Sequence, residues 1–309
     1  MKEIDKTVIS GGLYGLLIGD AVGRPYEFKS PKEIPIYNEI DMLPPKGFNS
    51  TYSKVPFGTW TDDGAQALAL IDSLLQIRGL DLNHFSQCLC DWLKHGKYTP
   101  DGIVFDCGIQ TSTALNRIIA GVSVFDAAGR DEYSNGNGAL MRVLPVALFE
   151  RENIETLIEM AMEQCIPTHG HPRSAIVCAL YCLMANHLIK ENTYINPDLA
   201  AEILIEYLSF EQKLELDNIL SSPFRDNPTG SGYVVDSLWS VNFAMQQADN
   251  FRDVVRNAVA LGNDTDTTAA IAGGLAGLKY NYDGIPSDWI TQLRGKNQVN
   301  LLLDKLFFI

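Results

Sequence analysis

The sequence predicts an all-α protein. Two observations carry that prediction. Apolar residues recur at helical spacing along most of the chain, and no series of alternating β-branched runs supplies the strands of a Rossmann or TIM fold. A third observation supports them. Ala269, Ala270, Ala272, Gly273, Gly274 and Ala276 make Thr267 to Leu278 a helix of small residues, which a second backbone can approach closely, so it is expected at the centre.

In chain order, the first helix is read from the apolar stretch Val8 to Ile18 and closes in Gly19-Asp20-Ala21-Val22-Gly23. Asp20 there is a cap or a structural hydrogen-bond partner. An irregular stretch follows, Gly23 to Gly58, with Pro25, Pro31, Pro35, Pro44, Pro45 and Pro56. A loop that long is a lid, a binding loop or an insertion. Ala65 to Ile77 then places Leu68, Ile71, Leu74 and Leu75 on one helical face. The same periodicity marks Phe85 to Leu93, Thr111 to Ile119, Ile154 to Cys165, Ser174 to Ile189, Leu199 to Leu208 and Phe251 to Leu261. A second break, Ser221 to Gly232, holds Pro223, Pro228, Gly230 and Gly232. Aromatics (Tyr26, Phe28, Phe57, Trp60, Phe224, Tyr233) flank both breaks, so neither is a flexible linker, and one domain over 1–309 is expected.

Composition excludes several classes. With 46% hydrophobic and 20% charged residues, the chain has enough apolar surface to bury a core and is not disordered. Its 38 acidic against 24 basic residues give a net charge of -14, which argues against general nucleic-acid binding and against anionic membranes. Six cysteines form no zinc pattern, and reduced, mostly buried thiols are expected. Glu3 and Asp5 interrupt any secretion signal, and the longest apolar run, Ala175 to Ile189, contains Asn186 and His187 and falls short of the roughly 20 residues of a membrane span. A cytoplasmic protein and a monomer are expected.

Two acidic clusters stand at helix starts: Thr61-Asp62-Asp63, and Asn263-Asp264-Thr265-Asp266-Thr267-Thr268. Either alone is accounted for by capping and the helix dipole. Both together are not, because capping does not need adjacent carboxylates that repel one another. If they converge they require a cation, and oxygen ligands alone select Mg²⁺, Mn²⁺ or Ca²⁺. Ser134-Asn135-Gly136-Asn137-Gly138-Ala139-Leu140-Met141-Arg142 reads either as a turn or as a backbone anion cradle built on positive-φ residues. His169 and His171 sit in one loop without a nearby third ligand, which favours a substrate contact over a metal. Asp106 precedes a helix and reads by itself as its cap. Signatures of serine hydrolases, zinc proteases and nucleobase deaminases are absent.

These pieces in order resemble the ADP-ribosylglycohydrolase family, which includes the dinitrogenase reductase-activating glycohydrolases. The elements are Gly19-Asp20-Ala21-Val22-Gly23 with Tyr26-Glu27-Phe28, Thr61-Asp62-Asp63, Asp106-x-Gly108, Gly136-Asn137-Gly138 with Met141-Arg142, Thr168-His169-x-His171-Pro172, Gly230-x-Gly232-Tyr233-Val234, Gly262-Asn263-Asp264-Thr265-Asp266-Thr267 and Gly284-Ile285-Pro286-x-x-Trp289. The resemblance implies a compact orthogonal helical bundle with two Mg²⁺ or Mn²⁺ ions. It implies hydrolysis of the bond joining ADP-ribose to an acceptor, an arginine or serine of a modified protein.

By the same resemblance, Thr61, Asp62, Asp63, Asp264, Asp266 and Thr267 are metal ligands. Glu27 matches an acidic lid residue, and Asp106 a carboxylate facing the ribose. Ser134, Gly136, Asn137, Gly138, Met141, His169 and Tyr233 fall at substrate-binding positions. The general base is left open among Asp62, Asp63 and Glu27. Where the family has Thr or Ser after Thr-Asp-Asp, this chain has Gly64, which removes a hydroxyl beside the metal site. Two alternatives stand beside this reading: a non-catalytic ADP-ribose-binding or structural protein, and the same chemistry on a nucleic-acid or small-molecule conjugate.

Overall fold

The computed structural model describes residues 5–308; residues 1–4 and 309 of the expected domain, Glu3 among them, lie outside the described residues. Its helices are α1 (Lys6–Gly23), α2 (Asp62–Ile77), α3 (Leu82–His95), α4 (Ile109–Ile119), α5 (Leu144–Phe149), α6 (Ile154–Glu163) and α7 (Pro172–Glu191). They continue with α8 (Pro197–Leu204), α9 (Phe210–Leu220), α10 (Val234–Gln246), α11 (Phe251–Ala260), α12 (Thr265–Tyr280), α13 (Ser287–Gln292) and α14 (Lys296–Leu306). No strand forms among the described residues, only two isolated bridges, Gly129 with His169 and Gly136 with Tyr233.

Local chemistry sets the helix ends. Asp5, Asp81, Asn153, Asn196 and Asn250 cap α1, α3, α6, α8 and α11 through side-chain oxygens, and Ser209 with Gln212 forms a capping box on α9. Arg78, Gly96 and Asn192 close α2, α3 and α7 in the left-handed conformation. Five helices lie outside the periodic stretches named above. On α10 most residues are buried, so no polar stripe marks a face. In α9 only Leu216 and Ile219 are buried, so no apolar stripe does. The others are the short α5 and α13 and the C-terminal α14, where Val299, Leu302, Leu303 and Leu306 do share one face.

The expected central helix is α12, and its partner is α1. They pack antiparallel along a seam of glycines. A Cβ added at Gly11, Gly15, Gly19 or Gly23 would strike the carbonyl oxygens of Gly277, Gly273, Ala269 and Thr265 in turn. The spacing of four residues keeps these positions on one face of α1. The seam therefore brings the C-terminal end of α1, with Asp20 and Gly23, against the N-terminal end of α12, with Thr265 and Asp266.

The stretch after α1 contains two short 3-10 turns, Arg24–Tyr26 and Tyr37–Glu39, and no α-helix. It is tied down rather than loose. Arg24 donates to the carbonyls of Tyr52 and Pro56, the Tyr26 hydroxyl to that of Asp41, and Arg256 to those of Asn38 and Ile40. Helix α7 is longer than its apolar run suggests. At 20 residues it is long and apolar enough to cross a membrane, but 78% of its apolar window is buried inside the fold, as in a core helix. All six cysteines are free thiols, and only Cys107 is partly exposed.

Candidate active site

The α1–α12 seam ends in a cavity of about 700 Å³, large enough for a nucleotide-sized ligand. Glu27, Asp62, Asp106, Asp264, Asp266 and Thr267 line one part of it, and Gly136, Asn137, Gly138, Met141 and His169 another. The structure thus brings together sequence elements more than 200 residues apart (Glu27 and Asp264).

Thr61 is the N-cap of α2 and accepts from the Asp63 N–H. Its hydroxyl also donates to Asp63 Oδ2 at 3.0 Å. Capping therefore explains Thr61, but not the carboxylates around it. Asp62 accepts from Gln66 at 3.2 Å and from the Gly108 N–H at 3.4 Å. Asp264 occupies the N-cap position of α12 yet makes no capping bond; its Oδ2 accepts from Asn137 Nδ2 at 2.8 Å. The carboxylate oxygens of Glu27, Asp264 and Asp266 come within 4.8 Å of one another. Glu27 Oε2, Asp63 Oδ1 and Asp266 Oδ1 are buried without a hydrogen-bond partner, and among the described residues no ion pair includes any of these groups.

Burial, then the charges of Asp106, Asp264 and Asp62, pushes the Glu27 carboxyl up to about 10. Burial is also the first cause that holds Asp62, Asp63 and Asp266 well above the usual carboxylate range, and it raises Asp106. Converging, unpaired, oxygen-only donors of this kind fit hard divalent cations, which would supply the missing positive charge. Thr61 and Asp63 stand behind the cavity wall, with Asp63 reached by the Thr267 hydroxyl at 3.4 Å.

Several expectations are corrected. Asp106 does not cap α4; Gly108 holds that position without a side-chain bond, and Asp106 lines the cavity instead. The Gly136–Gly138 segment contains no positive-φ residue and forms no left-handed cradle. Gly138 answers a demand for space, since a Cβ there would lie 2.9 Å from His169 Cε1 and 3.1 Å from Thr111 Oγ1. The Gly136 N–H already donates to Gln110 Oε1 and the Asn137 N–H to the Gly232 carbonyl, so neither is free for an anion. Ser134 and Tyr233 do not line the cavity. The Ser134 hydroxyl donates to Asp131, and the Tyr233 hydroxyl accepts from Arg173. His171 is the N-cap of α7 and accepts from the Arg173 N–H.

Four further groups support the site; of these the sequence marks Gly64 as a missing hydroxyl and Asp20 as a cap or hydrogen-bond partner, and gives Asp236 and Phe28 no role. Asp20, fully buried on α1, accepts from the Thr61 N–H and the Gly64 N–H at 2.9 Å each, and so caps α2 from another helix. Gly64 leaves no room for a side chain, since a Cβ would lie 2.7 Å from Leu17 Cδ2 and 2.8 Å from Trp60 Cδ1. Buried Asp236 accepts from the N–H groups of Thr229 and Ser231, holding the loop whose Gly230 carbonyl receives the Asp264 N–H. Phe28, at φ 63°, exposes its ring at the cavity edge while its N–H donates to the Asn263 carbonyl, whose own N–H donates to the Lys29 carbonyl. Asp20 is aimed at N–H groups 41 and 44 residues away, which leaves no spacing signature.

The sequence profile of the family described as ADP-ribosylglycohydrolase matches residues 2–308, so the chain belongs to that family. It is 30% identical to an ADP-ribosylarginine hydrolase of Serratia proteamaculans (strain 568), over 100% of this chain and 80% of that protein. It is also 30% identical to an ADP-ribosyl-dinitrogen reductase glycohydrolase of Rhodospirillum rubrum, over 92% of this chain and 89% of that protein. A solved structure titled ADP-ribosylglycohydrolase-related protein complex superposes with a TM-score of 0.77 at 27% identity, covering 98% of this chain and 97% of the other.

Proposed function

We propose that the protein hydrolyses the glycosidic bond between ADP-ribose and an arginine side chain of a modified protein, with two Mg²⁺ or Mn²⁺ ions as cofactors. The observation that carries this reading is the convergence of Glu27, Asp264 and Asp266, with buried unpartnered oxygens, at the wall of a nucleotide-sized cavity. Asp62, Asp63, Asp264, Asp266, Thr267 and Thr61 would hold the ions, with Glu27 beside them. Bound divalent cations supply Lewis-acid chemistry, neutralising the carboxylates and easing deprotonation of water.

The chain's own residues do the rest. Asn137 Nδ2 bonds Asp264 and so ties the glycine loop to the acidic cluster, which fixes both ends of the cavity relative to each other. Asp62 and Glu27 line the cavity while Asp63 does not, so acceptance of a proton from the attacking water falls to Asp62 or Glu27. Asp106 faces the same space and stabilises positive character developing at the anomeric carbon. The name of the Serratia relative supports arginine as acceptor, and that of the Rhodospirillum relative supports a modified protein as substrate. The test is release of ADP-ribose from arginine-linked and serine-linked ADP-ribosyl substrates, with Mg²⁺, with Mn²⁺ and with a chelator. Metal-dependent release from the arginine conjugate is expected; binding of ADP-ribose without release from either conjugate would establish a non-catalytic protein instead.

A further inference from the structure

Beneath the cavity lies a buried guanidinium that the reading of the reaction does not use. Arg142 is fully buried, and among the described residues it has no carboxylate partner. Its N–H groups go to neutral acceptors: Gln164 Oε1 at 3.0 Å, the Gln164 carbonyl at 3.1 Å, Gln66 Oε1 at 2.8 Å and Thr168 Oγ1 at 2.7 Å. Two of these acceptors lead into the active site. Gln66 Nε2 donates to Asp62 Oδ2 at 3.2 Å, and Thr168 Oγ1 lies 2.8 Å from His169 Nδ1.

An arginine side chain can only donate, and that fixes the direction of both branches. Gln66 must turn its oxygen to Arg142, so its NH₂ faces Asp62. Thr168 Oγ1 accepts from Arg142, and its own proton then needs an acceptor in a site with no solvent exposure. The remaining recorded partner of that hydroxyl is His169 Nδ1. Nδ1 therefore accepts, and the single proton of the neutral imidazole sits on Nε2. Nε2 has no hydrogen-bond partner among the described residues, and the ring lines the cavity, within reach of the Gly136–Gly138 loop. Burial, together with the Arg142 charge, keeps the ring well below its usual range and so neutral.

We propose that Arg142 is a positioning residue that sets hydrogen-bond polarity in the cavity: through Thr168 it fixes His169 as an Nε2–H donor to an oxygen of bound ADP-ribose, and through Gln66 it aims an amide NH₂ at Asp62. The assignment rests on the ADP-ribose reading for its ligand, but not for its tautomer. It gives an acidic site a fixed neutral donor for an oxygen-rich anion, where the N–H groups of Gly136 and Asn137 are already engaged.

The test is a two-bond ¹H–¹⁵N correlation spectrum of the ¹⁵N-labelled protein near neutral pH, with His169→Gln used to assign the ring. Expected is one tautomer, Nε2 protonated and Nδ1 bare; a protonated Nδ1 would overturn the assignment. Titration with ADP-ribose adds a second readout. Thr168→Ser keeps the wild-type Kd, and Thr168→Val raises it roughly tenfold, the worth of one buried hydrogen bond. An unchanged Kd in Thr168→Val would also overturn it; if that variant does not fold, the wild-type spectrum and Thr168→Ser decide. Failure of the wild type to bind ADP-ribose sinks the functional reading, whereas a wrong tautomer sinks only the role of Arg142.

Discussion

Replacing Asp20 with Ala tests how the acidic cluster on α2 is held in place. Asp20 belongs to α1, is fully buried, and receives the N–H groups of Thr61 and Gly64 at 2.9 Å each. Truncation leaves both donors buried and unpaired, at about 1–2 kcal/mol each, so a loss of about 3 kcal/mol is expected. That is a large part of the roughly 5–15 kcal/mol available to a domain. The local consequence is more specific. Without this cap, Thr61-Asp62-Asp63 loses the anchor that ties it to α1, which itself packs on α12, and Mn²⁺ affinity should fall at least about tenfold, the equivalent of roughly 1.4 kcal/mol. Urea unfolding and calorimetric Mn²⁺ titration measure the two effects. Tyr14→Phe is the control: it removes a 2.6 Å bond to Asn300 far from the cavity. It should cost about 1 kcal/mol of stability and leave Mn²⁺ affinity unchanged. An Asp20→Ala variant within about 0.5 kcal/mol of wild type, with unaltered Mn²⁺ affinity, would refute the reasoning.

Gly64→Ala should lower stability by about 1–3 kcal/mol in denaturant melts, because its Cβ has no space between Leu17 and Trp60. By the same argument Gly64→Thr, which restores the hydroxyl common in the family, should destabilise rather than activate; a more active, equally stable Gly64→Thr protein would contradict this. The metal-free protein should lose stability as pH rises. Glu27 is raised to about 10 in the fold from an ordinary 4.5, so its favourable contribution is complete below the unfolded value and is lost as pH climbs toward the folded one. Tm without metal should therefore fall between about pH 6 and about pH 8.5, saturating Mg²⁺ should remove the fall, and Glu27→Gln should lessen it. A metal-free Tm that rises over that interval would oppose the carboxylate account.

The parts of the fold legible in the sequence are those with local signals. Small residues from Ala269 to Ala276 announce a helix that another backbone touches, and α1 does touch it. The paired clusters at Asp62-Asp63 and Asp264-Asp266 exceed the needs of capping, and the structure joins them at one cavity. Long-range polar aim was not legible. Nothing local distinguishes Asp20 as the cap of a helix about forty residues on, or Arg142 as the hub between Gln66 and Thr168. The glycines at Gly136 and Gly138 suggested unusual backbone angles, yet neither has a positive φ, and Gly138 answers a steric demand from His169 and Thr111, side chains distant in sequence.

The central claim is that convergent carboxylates at the junction of α1, α2 and α12 hold divalent ions that cleave ADP-ribosylarginine. Single-turnover release of ADP-ribose from an arginine-modified protein tests it most directly, with wild type and the Asp264→Ala/Asp266→Ala double variant at saturating Mg²⁺ or Mn²⁺. The account predicts metal-dependent release by wild type, none by the double variant, and loss of metal binding in the same variant. Full metal-dependent release by the double variant would contradict it.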